Sequence, residues 1–542
     1  MKKHFPLLLV LALATALRLY QFGQIPSGIN RDEAALGYNA YSILKTGRDE
    51  FGRFLPLNFE SFGDWKQPIY IYLAIPFIFL FGLSVVSVKL PALLAAISMI
   101  PAAYLLTQKV LTKTTLKNTI PLFTALLLAL NPWHFHFSRQ ALEAIVAAAF
   151  LTWAAVFLTN RKTNYSKTIS GFVFLFLSLF TYHGSLIVVP LWFLILWIFF
   201  FKTLKRNKTA IVLSLLFLSL TSLLFYNTFF SPEKVKAQGL VIFDLSNEKK
   251  TELIYSKRTD SFFSHLIYNQ QVFFLRQFAI NYSKTFTSEF LLTTGARHQN
   301  YNVPGYGNFF WPEIILAGFG VYWILKTRSK NLLFILAWVL IAPFPAAITN
   351  DAVHSTREIF LLPVVQITAA IGIVFIIQTF KLKINKLFSV LSLIMILVSW
   401  PFFSYYFNDY KTVSDNFFHG YFKQLSLDVE NLKPNYSQII FDDPHESPYI
   451  FYAFYTKLDP QVFHQTVEFY NKDYEGFRHV KKLDGLEFRV IDWNVVATLK
   501  RPLSNDLVIM RYEKLHDSMR PKQTWDNLGS EPELASIELR PI

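Results

Sequence analysis

Apolar residues run through this chain in blocks about as long as a bilayer is thick. They fall at about 5–21, 69–86, 88–107, 119–133, 141–159, 168–182, 184–201, 209–226, 309–325, 331–348, 359–380 and 387–404, with short polar loops between most of them. Runs of this length predict α-helices that cross a membrane. After about residue 405 the pattern changes. Short β-rich runs (SQIIFDD, LEFRVIDW, DLVIMRY) surround a helical stretch, SPYIFYAFYTKL, and charged residues become frequent. That predicts a soluble α/β domain over 405–542. The stretch 227–308 is long for a loop and is expected to be partly helical and functional. No internal repeat is evident.

Charge orients the blocks. Lys2, Lys3, Lys109, Lys113, Lys117, Arg161, Lys162, Lys167, Lys202, Lys205, Arg206, Lys208, Lys326, Arg328, Lys330, Lys381, Lys383 and Lys386 lie at the ends of the runs, in short segments without Asp or Glu. Such loops stay in the cytoplasm. The first run then leads outward as an uncleaved anchor, because no small-residue cleavage site follows it. Two runs separate the first outer loop from the inner loop 108–118, and an even number of crossings cannot do so. One of them therefore does not cross. Ile69–Val86, interrupted by Pro76 and followed by Gly82 and Ser84, is taken as a juxtamembrane or re-entrant helix. The expected fold is thus a polytopic α-helical membrane protein of about 11 transmembrane helices. Its N-terminus is cytoplasmic and its C-terminal α/β domain extracytoplasmic. Residues 1–404 form the transmembrane domain, with 22–87 as the first outer loop and 227–308 as a large outer loop.

Composition agrees. The chain has 542 residues, 53% hydrophobic and 16% charged, with 56 Phe and no Cys. Disulfides, thiolate metal sites and a Cys nucleophile are excluded. The net charge of +15 would suit nucleic acid, but its place in the inner loops assigns it to lipid headgroups instead.

The unusual polar residues collect on the expected outer side. Asp32 and Glu33 follow the first run, and Asn30 or Asp32 is placed to cap a helix from about Ala34 to Lys45, ended by Gly47. An acidic pair there has a structural reading, as a first helical turn favoured by the helix dipole. Further charges lie at matching depth: Asp64 and Lys66 before Gln67–Pro68, Arg139 and Glu143 in FSRQALEA, His183 in TYHGS, and His354, Arg357 and Glu358 in NDAVHSTREIF. Ionisable groups at span ends are costly unless paired or functional. Together they suggest an outward cavity with carboxylates facing cations. Carboxylates suit proton abstraction from a hydroxyl, and Lys and Arg suit phosphate. A lipid-phosphate substrate with a hydroxyl acceptor fits both. A transporter would place such charge near the bilayer midplane and show repeats.

The segment DEAALGYNAYSILKTGRDEFGRFLPLNFESFGDWKQPIYIYL resembles the first outer loop of bacterial protein O-mannosyltransferase-like enzymes. These belong to glycosyltransferase family 39, in the membrane-embedded C-type glycosyltransferase superfamily. The likeness continues through FSRQALEA, YHGSLIVVPL, NYSKTFTSEFLLTTGARHQNYNVPGYGNFF and HSTREIFLLP, over about residues 18–365 in collinear order. Gln67–Pro68 departs from the paired prolines of the pattern, and the β-trefoil domain of the eukaryotic enzymes is not visible.

The resemblance implies a C-type glycosyltransferase fold. It implies transfer of one sugar, mannose or another hexose, from a polyprenyl-phosphate donor to an acceptor hydroxyl at the outer face, with inversion. The acceptor is a protein, a lipid or a glycan. By resemblance Asp32 is the general base with Glu33 in support, Lys66, Arg357 and His354 hold the donor phosphate, and Asp64, Arg139, Glu143 and His183 support the site. Arg139 and Glu143 also read as an inward salt bridge holding the loop. Asp32, Glu33, Asp64 and His183 have the donor types for a divalent metal, but no tight spacing supports one, and no cofactor is expected. The expected partners are the lipid-linked donor, the acceptor and the bilayer, not nucleic acid. The rival reading is a non-enzymatic carrier of the lipid-linked sugar.

Overall fold

The computed structural model describes residues 5–111, 118–159, 164–230, 241–243, 252, 256, 259, 261–473, 476–491, 506–514, 521–526 and 532–539. Lys2, Lys3, Lys113, Lys117, Arg161, Lys162 and parts of 227–308 and LEFRVIDW lie outside the described residues. The chain forms two compact units. A helical unit comprises Met1–Tyr20, Ala92–Ser138 and Leu142–Ser404. A sheet unit comprises Gln21–Pro91, Arg139–Ala141 and Tyr405–Ile542.

Among the described residues, six helices are long and apolar enough to cross a membrane: Val85–Val110, Ser185–Leu204, Lys208–Asn227, Lys330–Ala347, Ile359–Phe380 and Ile384–Asn408. Shorter apolar helices span Phe5–Leu19, Pro68–Phe81, Thr119–Leu130, Glu143–Leu158 and Tyr165–Leu179. The chain is a membrane protein. The run at 119–133 is not one helix. It stops at Leu130, because Pro132 has no N–H to continue the ladder. Asn131 then caps the short helix Pro132–Phe137 by accepting from His134 N.

Inside the helical unit, close packing and buried polar links fix the helices. Trp311–Thr327 and Val364–Phe380 meet backbone to backbone. A Cβ added at Gly320 would lie 1.9 Å from the Thr368 carbonyl oxygen, and one at Gly372 would lie 2.0 Å from that of Leu316. Small residues permit such an approach in membranes. Glu313, fully buried, accepts from Phe310 N at 3.2 Å, Gln366 Nε2 at 2.9 Å and Asn131 Nδ2 at 3.2 Å, so three segments share one carboxyl group.

Among the described residues the sheet unit holds a hairpin, β1 (Phe59–Ser61) and β2 (Asp64–Lys66), and seven further strands: β3 (Gln438–Phe441), β4 (Glu468–Phe469), β5 (Val480–Leu483), β6 (Leu486–Phe488), β7 (Asp506–Arg511), β8 (Gln523–Asp526) and β9 (Pro532–Leu539). These seven form one mixed sheet in the order β4-β5-β6-β3-β7-β9-β8. Central β3 runs parallel to both β6 and β7, and the other pairs are antiparallel. Ile440, Val508, Met510 and Ile537 form a buried cluster on it.

The first-loop residues pack into this same unit. Ile29 N donates to Phe418 O at 3.1 Å, Ser27 N to Ser414 Oγ at 2.9 Å and Arg478 N to Phe62 O at 3.1 Å. Tyr38 OH donates to Leu458 O at 3.1 Å.

Candidate functional site

The first-loop group begins with a helix start. Asn30 is the N-cap of Arg31–Thr46 and accepts from Glu33 N at 3.0 Å, while Glu33 Oε2 accepts from Asn30 N at 3.0 Å. This reciprocal capping box satisfies two orphan donors of the first turn. The helix ends at Gly47, in left-handed conformation with φ 70°. Thus the helix starts three residues before the expected Ala34, and Asn30 is the cap rather than Asp32.

Lys66 reaches Asp32 from a hairpin. β1 (Phe59–Ser61) and β2 (Asp64–Lys66) are antiparallel, with Phe59 opposite Lys66 and Ser61 opposite Asp64. The two-residue turn Phe62–Gly63 has positive φ at both positions, the twist that suits a tight hairpin. Lys66 Nζ lies 2.7 Å from Asp32 Oδ1. The lysine side chain is 9% exposed and the aspartate 50% exposed. The ammonium is therefore largely withdrawn from water, while its carboxylate partner is half exposed. Arg31 lies over the Phe62 ring at 5.6 Å and donates to His445 O at 3.4 Å, tying the helix start to the loop after β3.

The neighbouring residues divide by role. Glu33 is 1% exposed; beyond its cap, Oε1 accepts from Ala141 N. Its carboxylate is thus spent on backbone amides. Arg139 is buried and donates to Ile25 O at 3.0 Å and Gln21 O at 2.8 Å, with the Tyr406 and Phe407 rings near its guanidinium. It fastens the loop through carbonyls and aromatic faces. Asp64 is exposed at the hairpin, where Oδ1 accepts from Trp65 N at 2.9 Å.

Glu50 was missed by the sequence analysis. It is fully buried, and accepts from Asn39 Nδ2 at 3.0 Å, Ser61 Oγ at 2.8 Å and Tyr449 OH at 3.2 Å. Burial pushes its carboxyl up to about 7, and these hydrogen bonds only partly oppose that. The alternation of its surroundings gave no sign that RDEF turns inward.

The second group lies in the helical unit, between Phe344–Ala347 and Ile359. Arg357 Nη1 donates to Thr349 Oγ1 at 2.8 Å and to Asp351 Oδ1. His354 is 7% exposed; its Nδ1 is 2.8 Å from Thr356 Oγ1, whose hydroxyl also meets Tyr182 OH at 3.2 Å. That last contact brings the turn carrying His183, itself exposed, toward the same loop. Burial, then the Arg357 charge, pushes the His354 imidazole down to about 3. Burial would raise Asp351, but hydrogen bonds from His298 and Arg357 outweigh it and hold its carboxyl well below the usual range.

Glu358 is buried and accepts from Thr285 Oγ1; burial pushes its carboxyl up to about 8. Glu143 is the first residue of Glu143–Leu158. His298 and Asp351 complete a cluster with His354, in which one candidate ligand atom from each lies within 4.8 Å of the others. Both residues stood in quoted segments, ARHQNY and NDAVHST, but their distance apart in sequence hid the pairing. Asp32–Lys66 and Arg357–His354 thus form two groups, one in each unit.

No family model matches the chain, and no curated protein matches it. Solved structures do. ArnT from Cupriavidus metallidurans bound to undecaprenyl phosphate has a TM-score of 0.51 and 12% identity, over 99% of this chain and 98% of that one. The same protein in the apo state scores 0.49 at 11% identity, over 98% and 97%. The archaeal oligosaccharyltransferase AglB from Archaeoglobus fulgidus, in complex with an inhibitory peptide and a dolichol-phosphate, scores 0.48 at 12% identity. That match covers 84% of this chain and 64% of the archaeal one. The fold of this chain is therefore that of ArnT, with a C-terminal sheet-containing domain.

Proposed function

We propose that this chain transfers a single sugar from a polyprenyl-phosphate donor to an acceptor hydroxyl at the outer face of the cell membrane. The observation that carries the reading is the Asp32–Lys66 pair: a half-exposed carboxylate on a helix N-terminus, held at 2.7 Å by a largely buried ammonium. The ArnT likeness adds support, since that protein was solved with undecaprenyl phosphate.

In the proposed step Asp32 accepts the acceptor's proton late, as its oxygen bonds to the anomeric carbon. The bond from that carbon to the phosphate oxygen breaks on the opposite face, which inverts the centre. The lipid phosphate departs with the electron pair and needs charge neutralisation rather than a proton. Lys66 exchanges Asp32 for the donor phosphate as the donor binds, which both grips the leaving group and releases the base. Arg357 and His354 are assigned to phosphate binding, Arg357 through its fork of donors. Glu33 is a positioning residue, because its oxygens serve backbone amides. Arg139 shares that role, and Asp64, Glu143 and His183 support the site. The sugar is mannose or another hexose, and the acceptor is a protein, lipid or glycan hydroxyl. The C-terminal domain faces outward and the N-terminus is cytoplasmic.

The test is transfer by the full chain in liposomes, given labelled polyprenyl-phosphate mannose and, separately, peptide, lipid and glycan acceptors. Label is expected on one acceptor class. Donor that crosses the bilayer intact with no acceptor labelled would make the protein a carrier and end this reading.

A further inference from the structure

His298, Asp351 and His354 come from two loops of the helical unit, outside the membrane-length helices. One nitrogen or oxygen of each lies within 4.8 Å of the other two. Two imidazoles and a carboxylate are the donor set of many first-row metal sites, and three protein ligands leave a fourth position open.

The orientation of each group matters more than the count. His354 Nδ1 is engaged by Thr356 Oγ1 at 2.8 Å, which holds the ring and leaves Nε2 as the candidate ligand atom. An outer partner of this kind is what orients a ligating histidine. Asp351 gives Oδ1 to Arg357 and presents Oδ2 toward His298 Nε2, 3.9 Å away. The His298 and His354 rings lie 5.2 Å apart, and the Tyr301 ring closes one side 5.1 Å from His354.

A tetrahedral ion with bonds of about 2.1 Å needs ligand atoms about 3.4 Å apart. Closing from the present spacing takes small side-chain rotations. His298 and Asp351 can make them, since their side chains are 54% and 38% exposed. Arg357 opposes a cation by charge but also orients the carboxylate that binds it, so the open position is suited to an anion.

We propose that His298, Asp351 and His354 bind one Zn²⁺, leaving one coordination position open. This stands whether or not the sugar-transfer reading holds.

The experiment uses the full chain in detergent, without a polyhistidine tag, stripped by chelator and titrated with Zn²⁺ against a fluorescent zinc indicator. One tight Zn²⁺ per chain is expected. His298→Ala combined with His354→Gln should weaken it at least tenfold, while His445→Ala, in the sheet unit, should leave it unchanged. X-ray absorption at the zinc edge of the unmutated protein gives a second readout, independent of how the variants fold: it should show imidazole scattering from two histidines. Absence of a stoichiometric site, a double variant that binds as tightly, or a spectrum lacking imidazole scattering would each overturn the proposal.

Discussion

Lys66 and Asp32 lie 34 positions apart, yet their charged atoms are 2.7 Å apart. If Lys66 trades Asp32 for the donor phosphate, Lys66→Met should raise KM for the donor and also lower kcat. We expect kcat/KM to fall about a hundredfold, the scale of losing one charge-stabilising donor. Steady-state kinetics with varied donor checks this, and an unchanged KM would detach Lys66 from the phosphate.

Glu50 makes a pH-dependent prediction at the same scale. Burial pushes its folded carboxyl up to about 7, above the ordinary carboxylate range. The folded state therefore binds more protons than the unfolded state between the two values, and Glu50 costs stability as pH rises through that window. Glu50→Gln should gain up to about 3 kcal/mol over the parent at pH 8 and nothing comparable at pH 4. Thermal unfolding at both pH values measures it. Asp32, Glu33, Lys66 and Arg357 were all legible as unusual charges at the ends of apolar runs. Glu50, His298 and Asp351 were not, because their significance lies in what surrounds them in space.

Among the elements, the start of Arg31–Thr46 positions Asp32, and its signal was written plainly: Asn30, then Glu33 three residues on. Asn30→Ala should cost about 1 kcal/mol through loss of the cap and should reduce transfer by misplacing Asp32. Recovery of that activity by Asn30→Ser or Asn30→Asp would separate capping from any direct contact. The hairpin that delivers Lys66 was not foreseen, since its strands have three residues each and ESFGDWK shows no long alternation. The Trp311–Thr327 and Val364–Phe380 pair was legible as two apolar runs but not as partners. Only the Gly320 and Gly372 contacts reveal the close approach. Gly372→Ala should push the helices apart and cost roughly 1–3 kcal/mol, seen as a lower unfolding temperature in detergent.

At the scale of the whole molecule, apolar run length identified a helical membrane protein, and the change of composition near 405 falls at the Ser404–Tyr405 boundary between the two units. What composition could not show is that Gln21–Pro91 belongs with the C-terminal residues. That grouping rests on backbone pairings such as Ile29 with Phe418, hundreds of positions apart, which leave no periodic trace. In consequence the Asp32–Lys66 pair is carried by the unit that also holds the sheet, so the C-terminal residues help to set its geometry.

The most direct test of the proposed chemistry is single-turnover transfer of labelled sugar from a polyprenyl-phosphate donor by Asp32→Asn, with folding verified by its unfolding temperature. Asparagine keeps the size of the side chain and removes the base. The account predicts a rate lower by about a hundredfold or more with donor binding retained, in the range a positioned base contributes. Transfer near the parent rate, in folded protein, would contradict it.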